Sequence, residues 1–147
     1  MPTPEVELAK SIATEAHEGQ VDKLGAAYIG HPARVAGHAK RLGGSEQAVA
    51  AAWLHDVIED TSITALDLLK KGISNEVVST VELLSKIPGQ SMEEYCQGIR
   101  SNPLALLVKE ADLADNTDPA RTALLDDATR ERLAAKYAKA RHLLGLI

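Results

Sequence analysis

The chain has 147 residues, of which 45% are hydrophobic and 25% charged, a composition typical of a globular domain and not of a disordered chain. Its formal net charge of −5 has the wrong sign for a general DNA- or RNA-binding surface. The single cysteine, Cys96, excludes an internal disulfide and a cysteine-based zinc site, and it suits a reducing compartment. We therefore expect one domain over residues 1–147 with no nucleic-acid partner.

The N-terminal part of the chain is predicted to form two helices separated by a turn. It lacks the basic region and the apolar run of a leader peptide or membrane anchor, which predicts a cytoplasmic location and no membrane partner. Thr3, followed by proline, is typical of a helix start, and this helix is expected to end at Gly19. Residues 20–30 are turn-like. The histidine-proline pair at His31 then begins a second helix that reaches about Leu42.

An alanine-rich segment over residues 45–58 predicts a third helix that Ser45 caps. This helix is apolar on nearly all sides, which is typical of a helix at the centre of a domain. Caps and helix breakers predict the later elements: helices over 64–72 and 74–84, another from 91, one over 104–114, a loop over 117–127, and a final helix over 129–144. No segment predicts a strand, so we expect an all-α fold.

The densest group of ionisable residues lies in the segment WLHDVIEDT, residues 53–61. On a continuous helix, His55 would lie on the same side as Glu59, and Asp56 on the same side as Asp60, because each pair is four residues apart. Burying these groups without a partner would be costly, so a cation is expected to face them. A nitrogen-and-carboxylate set suits manganese, iron, magnesium or zinc. A helix end with simply solvated acids is the alternative that this segment alone leaves open.

Two other segments fit the same interpretation. His31, fixed by the following proline at the start of a helix, is a candidate second imidazole ligand, although a histidine in this position can also be an ordinary turn residue. Farther along, Lys109, Asp112 and Asn116 share one helix face because they are three and four residues apart. On their own these three residues also fit a solvated polar face.

The motifs YIGHPARVA, AAWLHDVIEDT and LLVKEADLADN resemble the H…HD…D signature of the HD superfamily. More narrowly, they are similar to the hydrolase domain of the RelA/SpoT alarmone enzymes and to its small stand-alone versions. The similarity covers about residues 7 to 122. It implies a compact helical bundle of the HD type and an enzyme that removes the 3′-pyrophosphate of guanosine tetra- or pentaphosphate. Nothing matches the synthetase half of those enzymes, so we expect no alarmone synthesis.

The resemblance also implies roles for individual residues. One divalent metal, typically manganese in this group, would be bound by His31, His55, Asp56 and Asp112. Glu59 and Asp60 match the acidic pair that acts on the attacking water. Lys23, Tyr28, Lys109 and Asn116 match positions that line the substrate pocket. His17 matches a residue of the first helix, and we assign it a structural role.

Two departures from the family pattern affect the expected substrate. Asp22 stands where the family usually has an arginine that packs on the guanine base, and a carboxylate cannot make that stack and would repel phosphate. Leu113 replaces a basic residue, and Asp115 stands where His or Tyr is common. Hydrolysis of another nucleotide or phosphate ester is therefore the first alternative. A non-catalytic nucleotide- or metal-binding module is the second, and the sequence does not predict an oligomeric state.

Overall fold

The computed structural model describes residues 3–146, which form ten helical segments. They are α1 (Pro4–Ala16), α2 (Gly30–Arg41), α3 (Glu46–Leu54), α4 (Val57–Asp60), α5 (Ala65–Lys70), α6 (Asn75–Leu84), α7 (Met92–Arg100), α8 (Pro103–Asn116), α9 (Pro119–Thr122) and α10 (Asp127–Leu144). Between residues 3 and 146 the only β pairing is an isolated bridge from Val21 to Ala27. The predicted all-α fold is confirmed. No helix in this range is long and apolar enough to cross a membrane.

Side-chain caps define where most helices begin, as the sequence predicted. Thr3, Ser45 and Ser74 each accept a hydrogen bond from a backbone amide in the first turn of α1, α3 and α6. Thr64 and Ser91 form complete capping boxes at α5 and α7. These side chains satisfy amides that lack an intrahelical acceptor, so the helix starts are fixed by local chemistry.

Helix α3 lies at the centre of the molecule and packs against α1, α2, α6 and α8. Six of its nine residues are buried, four of them alanines. Small side chains let neighbouring helices approach closely, and the surrounding core is built from Ala, Val, Leu and Ile. The predicted central position of this helix is confirmed. The central helix therefore carries its last residues directly into the interior of the bundle.

The predicted single helix over residues 45–58 is wrong, because the chain interrupts it at His55 and Asp56. In a continuous helix the Ala52 carbonyl would accept from the amide of Asp56. Instead it lies 2.7 Å from Nδ1 of His55. Helix α4 starts afresh at Val57, and the interruption turns both ionisable side chains towards α2 and α8.

Two connecting segments are more ordered than the sequence analysis expected. The predicted loop over 117–127 contains the short helix α9, which Asp118 caps through the amide of Ala120. The turn between α1 and α2 is closed by backbone hydrogen bonds between Asp22 and Ala26 and between Gln20 and Tyr28. Both segments border the cleft described below.

Candidate functional site

Three separate elements bring two histidines and an aspartate together at the bottom of a cleft. His31 comes from the first turn of α2, His55 from the turn between α3 and α4, and Asp112 from α8. Oδ1 of Asp112 lies 2.9 Å from Nε2 of His31 and 3.4 Å from Nε2 of His55. All three side chains are buried, and their ligand atoms lie within 4.8 Å of one another. This spacing is compatible with one shared metal ion.

Asp56 adds a second carboxylate to this cluster. Its Oδ2 lies 3.1 Å from Nε2 of His55 and 3.8 Å from Nε2 of His31. The Tyr28 hydroxyl donates a short hydrogen bond to the same oxygen. Burial, together with the nearby Asp56 carboxylate, raises the pKa of the Tyr28 phenol, which keeps it a donor. The hydroxyl therefore orients the carboxylate beside both imidazoles.

The orientation of both imidazole rings leaves their Nε2 atoms available to a cation. Nδ1 of His31 is 2.7 Å from Asp115 Oδ2, and Nδ1 of His55 is 2.7 Å from the Ala52 carbonyl. Both partners only accept hydrogen bonds, so in each neutral ring the proton sits on Nδ1 and Nε2 carries a lone pair. Nε2 of His55 is buried and makes no hydrogen bond to any residue between positions 3 and 146.

The Nε2 atoms of the two imidazoles face the carboxylates of Asp56 and Asp112. Lone pairs on both sides would repel each other, so either a proton or a metal cation must lie between them. Although burial opposes it, the carboxylates of Asp56 and Asp112 raise the pKa of His55 well above its usual range. Burial likewise opposes a raised pKa at His31, but hydrogen bonds to Asp112 and Asp115 raise it. The donor set therefore attracts cations strongly, and a divalent ion fits it because one ion would serve both rings and both acids.

The metal-facing carboxylate of Asp112 has two further partners on its own helix. Lys109 Nζ donates to Oδ2 at 3.0 Å, and Asn116 Nδ2 donates to Oδ1 at 3.2 Å. Burial alone would raise the pKa of Asp112, but Lys109 and the two imidazoles hold it well below its ordinary value. The lysine also lies over the ring of Tyr95, with Nζ 5.4 Å from the ring centre. These contacts fix Asp112 as a carboxylate.

The cluster opens into a cleft of about 460 Å³. Five cationic side chains line it: Lys23, Lys86, Lys109, Arg121 and Lys136. Five carboxylates also line it: Asp22, Asp56, Glu59, Asp60 and Asp112. Because these formal charges cancel, a bound divalent ion would make the cleft net positive. Such a cleft suits an anionic ligand of nucleotide size.

The sequence model of the HD domain family matches residues 9–145. The chain belongs to the HD domain family. It is 37% identical over 147 aligned positions to a guanosine-3′,5′-bis(diphosphate) 3′-pyrophosphohydrolase of Haemophilus influenzae, covering 92% of this chain and 22% of that protein. It is 34% identical to the bifunctional (p)ppGpp synthase/hydrolase SpoT of Escherichia coli strain K12, covering 92% of this chain and 21% of that protein. This HD domain therefore spans about a fifth of the length of these relatives.

A solved structure supports the same fold. It is described as a metazoan ortholog of SpoT that hydrolyzes ppGpp and plays a role in starvation responses. The TM-score is 0.82, and the superposition covers 98% of this chain and 87% of the other chain. Sequence identity between the two is 21%, so this likeness supports the fold of the HD domain alone.

The two candidate catalytic acids of this HD domain, Glu59 and Asp60, lie on α4 and line the same cleft. One carboxylate oxygen of Glu59 accepts from the backbone amide of Lys86 at 2.6 Å, which ties α4 to the segment after α6. Asp60 is exposed to the cleft, and burial together with the charges of Asp56 and Glu59 raises its pKa. The interruption of the helix lies between His55 and Glu59, so the continuous helix on which the pair was predicted to stack is absent there.

The four candidate substrate residues occupy different depths of the cleft. Lys23 is exposed at its rim, whereas Tyr28 and Asn116 lie half-buried near the metal cluster. Lys109 is between them and contacts Asp112, as described above. All four line the cleft, but three of them also hydrogen-bond to the candidate metal ligands.

Asp22 lines the cleft, and its carboxylate is bound to its own turn and to a cation. Its Oδ1 accepts from the amides of Leu24 at 2.9 Å and Ala26 at 3.0 Å. Its Oδ2 lies 3.6 Å from Nη2 of Arg121. Burial raises the pKa of Asp22, but these backbone hydrogen bonds and Arg121 outweigh it and lower the pKa. The carboxylate therefore holds the turn and pairs with a cation.

Sequence reasoning overlooked three residues that border this site. Lys86 and Lys136 line the cleft but belong to no recognisable motif. Asp115 was noted only as a departure from the family pattern, yet it is fully buried against His31. Its spacing of three residues from Asp112 on α8 was the available signal, because that spacing places both carboxylates on one helix face.

Proposed function

We propose that this HD domain hydrolyses the 3′-pyrophosphate of guanosine tetra- or pentaphosphate with one bound divalent ion, manganese. His31, His55, Asp56 and Asp112 would bind the ion. The observation that carries the proposal is the convergence of two imidazole Nε2 atoms and two carboxylates at the bottom of a cleft that cationic side chains line. The names of the full-length relatives identify the same reaction in their proteins.

The reaction adds water to the phosphorus that is bonded to the ribose 3′ oxygen and breaks that phosphorus–oxygen bond. When bound, a divalent ion lowers the pKa of a coordinated water and polarises a phosphoryl oxygen. Glu59 and Asp60 line the same cleft, and we assign them the proton that the water loses. The 3′ oxygen gains a proton as pyrophosphate leaves. The raised pKa makes the Asp60 carboxylate a stronger base than an ordinary aspartate, which suits it for taking up a proton.

The cleft cations would hold the substrate phosphates. Lys109 is the best placed of them because it already contacts Asp112 at the cluster. Lys23, Lys86, Arg121 and Lys136 line the same cleft and can neutralise phosphates that do not react. Tyr28 and Asn116 would complete the pocket close to the reacting phosphorus. The partner implied by this arrangement is a small nucleotide, and we propose a cytoplasmic site of action.

Hydrolysis of a different nucleotide or phosphate ester is a second candidate, favoured by the geometry of Asp22. The side chain at this position is bound to its own turn and to Arg121. It therefore offers no planar cation on which a guanine could stack. Under this alternative, the metal site and acidic pair would act on a substrate whose base contributes little to recognition.

A substrate panel with manganese distinguishes these candidates. We expect the manganese-loaded protein to release pyrophosphate from ppGpp, and His55→Ala to release none because it lacks an ion ligand. His142→Ala is the matched control, since that histidine is exposed on α10, and its rate should equal the wild-type rate. Release of single phosphate from simple nucleotides, with ppGpp left intact, would favour the second candidate.

A further inference from the structure

Asp115 on α8 is a buried carboxylate to which the proposed mechanism gives no part. Its side chain is 0% exposed, and both of its oxygens are occupied. Oδ2 lies 2.7 Å from Nδ1 of His31, and Oδ1 accepts from Nε of Arg34 at 2.7 Å. Nε of Arg121 lies 3.8 Å from Oδ2. Burying an ionised carboxylate costs free energy unless it is paired. The contacts of Asp115 with His31 and Arg34 therefore call for a physical explanation.

The pairing follows from the register of two helices. His31 and Arg34 are three residues apart on α2, and Asp112 and Asp115 are three residues apart on α8. Each pair therefore shares one helix face, and α2 packs against α8. Asp112 meets one edge of the His31 ring and Asp115 meets the other. The imidazole is held between two carboxylates, one on the metal side and one on the far side.

The two candidate ligand histidines differ in what holds them. Nδ1 of His55 contacts a neutral backbone carbonyl, at Ala52, whereas Nδ1 of His31 contacts an ionised side chain. Burial raises the pKa of Asp115, but hydrogen bonds from His31 and Arg34 outweigh it and lower the pKa. A charged acceptor behind a metal-binding imidazole fixes its tautomer and makes Nε2 a stronger ligand.

We propose that Asp115 is a positioning residue that keeps the proton of His31 on Nδ1 and directs Nε2 at the metal site. Arg34 holds Asp115 in its ionised form and in place. The inference rests on the proposed function only in requiring a divalent ion at that site. A purely structural salt bridge would need Arg34 alone, whereas here the second carboxylate oxygen is committed to the imidazole.

The test compares Asp115→Asn with the wild-type protein by Mn²⁺ binding, measured by electron paramagnetic resonance without substrate. Asparagine keeps the shape but loses the charge, so we expect Mn²⁺ affinity to fall by about 10- to 100-fold, the usual cost of losing such a partner. Val78→Ala is the control for lost stability, because it removes buried volume from α6 away from the cluster. Its Mn²⁺ affinity should match that of the wild type.

A nuclear magnetic resonance measurement on the Zn²⁺-loaded protein separates positioning from general destabilisation. The Nδ1 proton of His31 should lie far downfield in the wild type and move upfield in Asp115→Asn. The Nδ1 proton of His55, bonded to a carbonyl, should not move and is an internal control. Unchanged Mn²⁺ affinity together with an unchanged His31 resonance would overturn the inference.

Arg34→Gln provides a second variant should Asp115→Asn fail to fold. It leaves Asp115 in place but removes the nearer of its two arginine partners, with Arg121 remaining at 3.8 Å. We therefore expect weaker Mn²⁺ binding and an upfield shift at His31, both smaller than in Asp115→Asn. An affinity equal to that of the wild type would count against the proposal. Hydrolysis is scored separately: a wild type that binds Mn²⁺ but leaves ppGpp intact would refute the proposed function and not the role of Asp115.

Discussion

At the scale of single residues, the candidate site depends on which nitrogen of each imidazole carries its proton. Both Nδ1 atoms face groups that only accept hydrogen bonds, so both Nε2 atoms point at carboxylate oxygens and can bind an ion once they have lost their own proton. We propose two roles for the side chains of this site, binding of the ion and proton transfer with water. His55 is proposed for the first role and Glu59, held by a backbone amide, for the second.

The variant Glu59→Gln tests this division of roles. An amide oxygen can still accept from the Lys86 amide, so the fold and the ion should be retained. Without a carboxylate to take the proton, turnover should fall by roughly 10²–10⁴-fold, the usual range for general acid–base assistance. Steady-state kinetics and elemental analysis of the purified variant measure both quantities.

Glu82→Gln, an exposed change on α6, is the matched control for Glu59→Gln and should leave turnover unchanged. The opposite pattern would contradict the assignment: a Glu59→Gln protein that loses manganese but regains full specific activity on reconstitution. Glu59 would then be an ion ligand and not a proton acceptor.

At the scale of elements, the sequence predicted the helix starts that local capping chemistry fixes. It missed features that depend on how the helices pack against one another. Capping side chains such as Thr64 and Ser91 identify helix starts because their partners lie three residues away. The interruption at His55 carries no such signal, since neither glycine nor proline stands there and helix-forming residues lie on both sides of it. The short helix α9 was predictable in principle, because Asp118 followed by proline is a helix-start pattern.

The same distinction applies to the candidate site. His31, His55, Asp56 and Asp112 belong to recognisable motifs, and the structure places them in one cluster. Asp115 acts through a contact with a residue far away in the chain; its spacing from Asp112 places it on the same helix face but does not identify His31 as its partner. The contact of Asp22 with Arg121 was likewise not predicted, because Arg121 lies on α9, far along the chain.

The turn between α1 and α2 gives a prediction about an element. Asp22→Ala removes the acceptor for the amides of Leu24 and Ala26, each hydrogen bond contributing about 0.5–1.5 kcal/mol. We expect faster hydrogen exchange at these two amides and a higher KM, since the turn carries Lys23. The turnover number should change less, because the turn lies at the rim of the cleft.

The matched variant Asp22→Asn keeps an oxygen that can accept from both amides but loses the charge opposite Arg121. Its amide exchange and KM should stay close to those of the wild type. If Asp22→Asn raised KM as much as Asp22→Ala does, the charge of Asp22 and not its hydrogen bonds to the turn would control substrate binding.

At the scale of the whole molecule, the candidate ion site connects helices that are distant in sequence. Its ligands come from α2, from the turn between α3 and α4, and from α8, which surround the buried centre of the bundle. An ion that binds these ligands only in the folded state must stabilise the fold by mass action. The cluster is therefore both the candidate chemical centre and a junction of the fold.

Manganese should accordingly raise the melting temperature. At a free concentration of 100 times the dissociation constant the gain is about 2.7 kcal/mol, which corresponds to roughly 5–10 °C for a domain of this size. The increment should be larger at pH 7.5 than at pH 6, because an imidazole binds the ion only after Nε2 loses its proton. Differential scanning calorimetry with manganese or with a chelator measures it. His142→Ala should show the full increment and His55→Ala should show none; an equal increment in both variants would mean that manganese binds elsewhere.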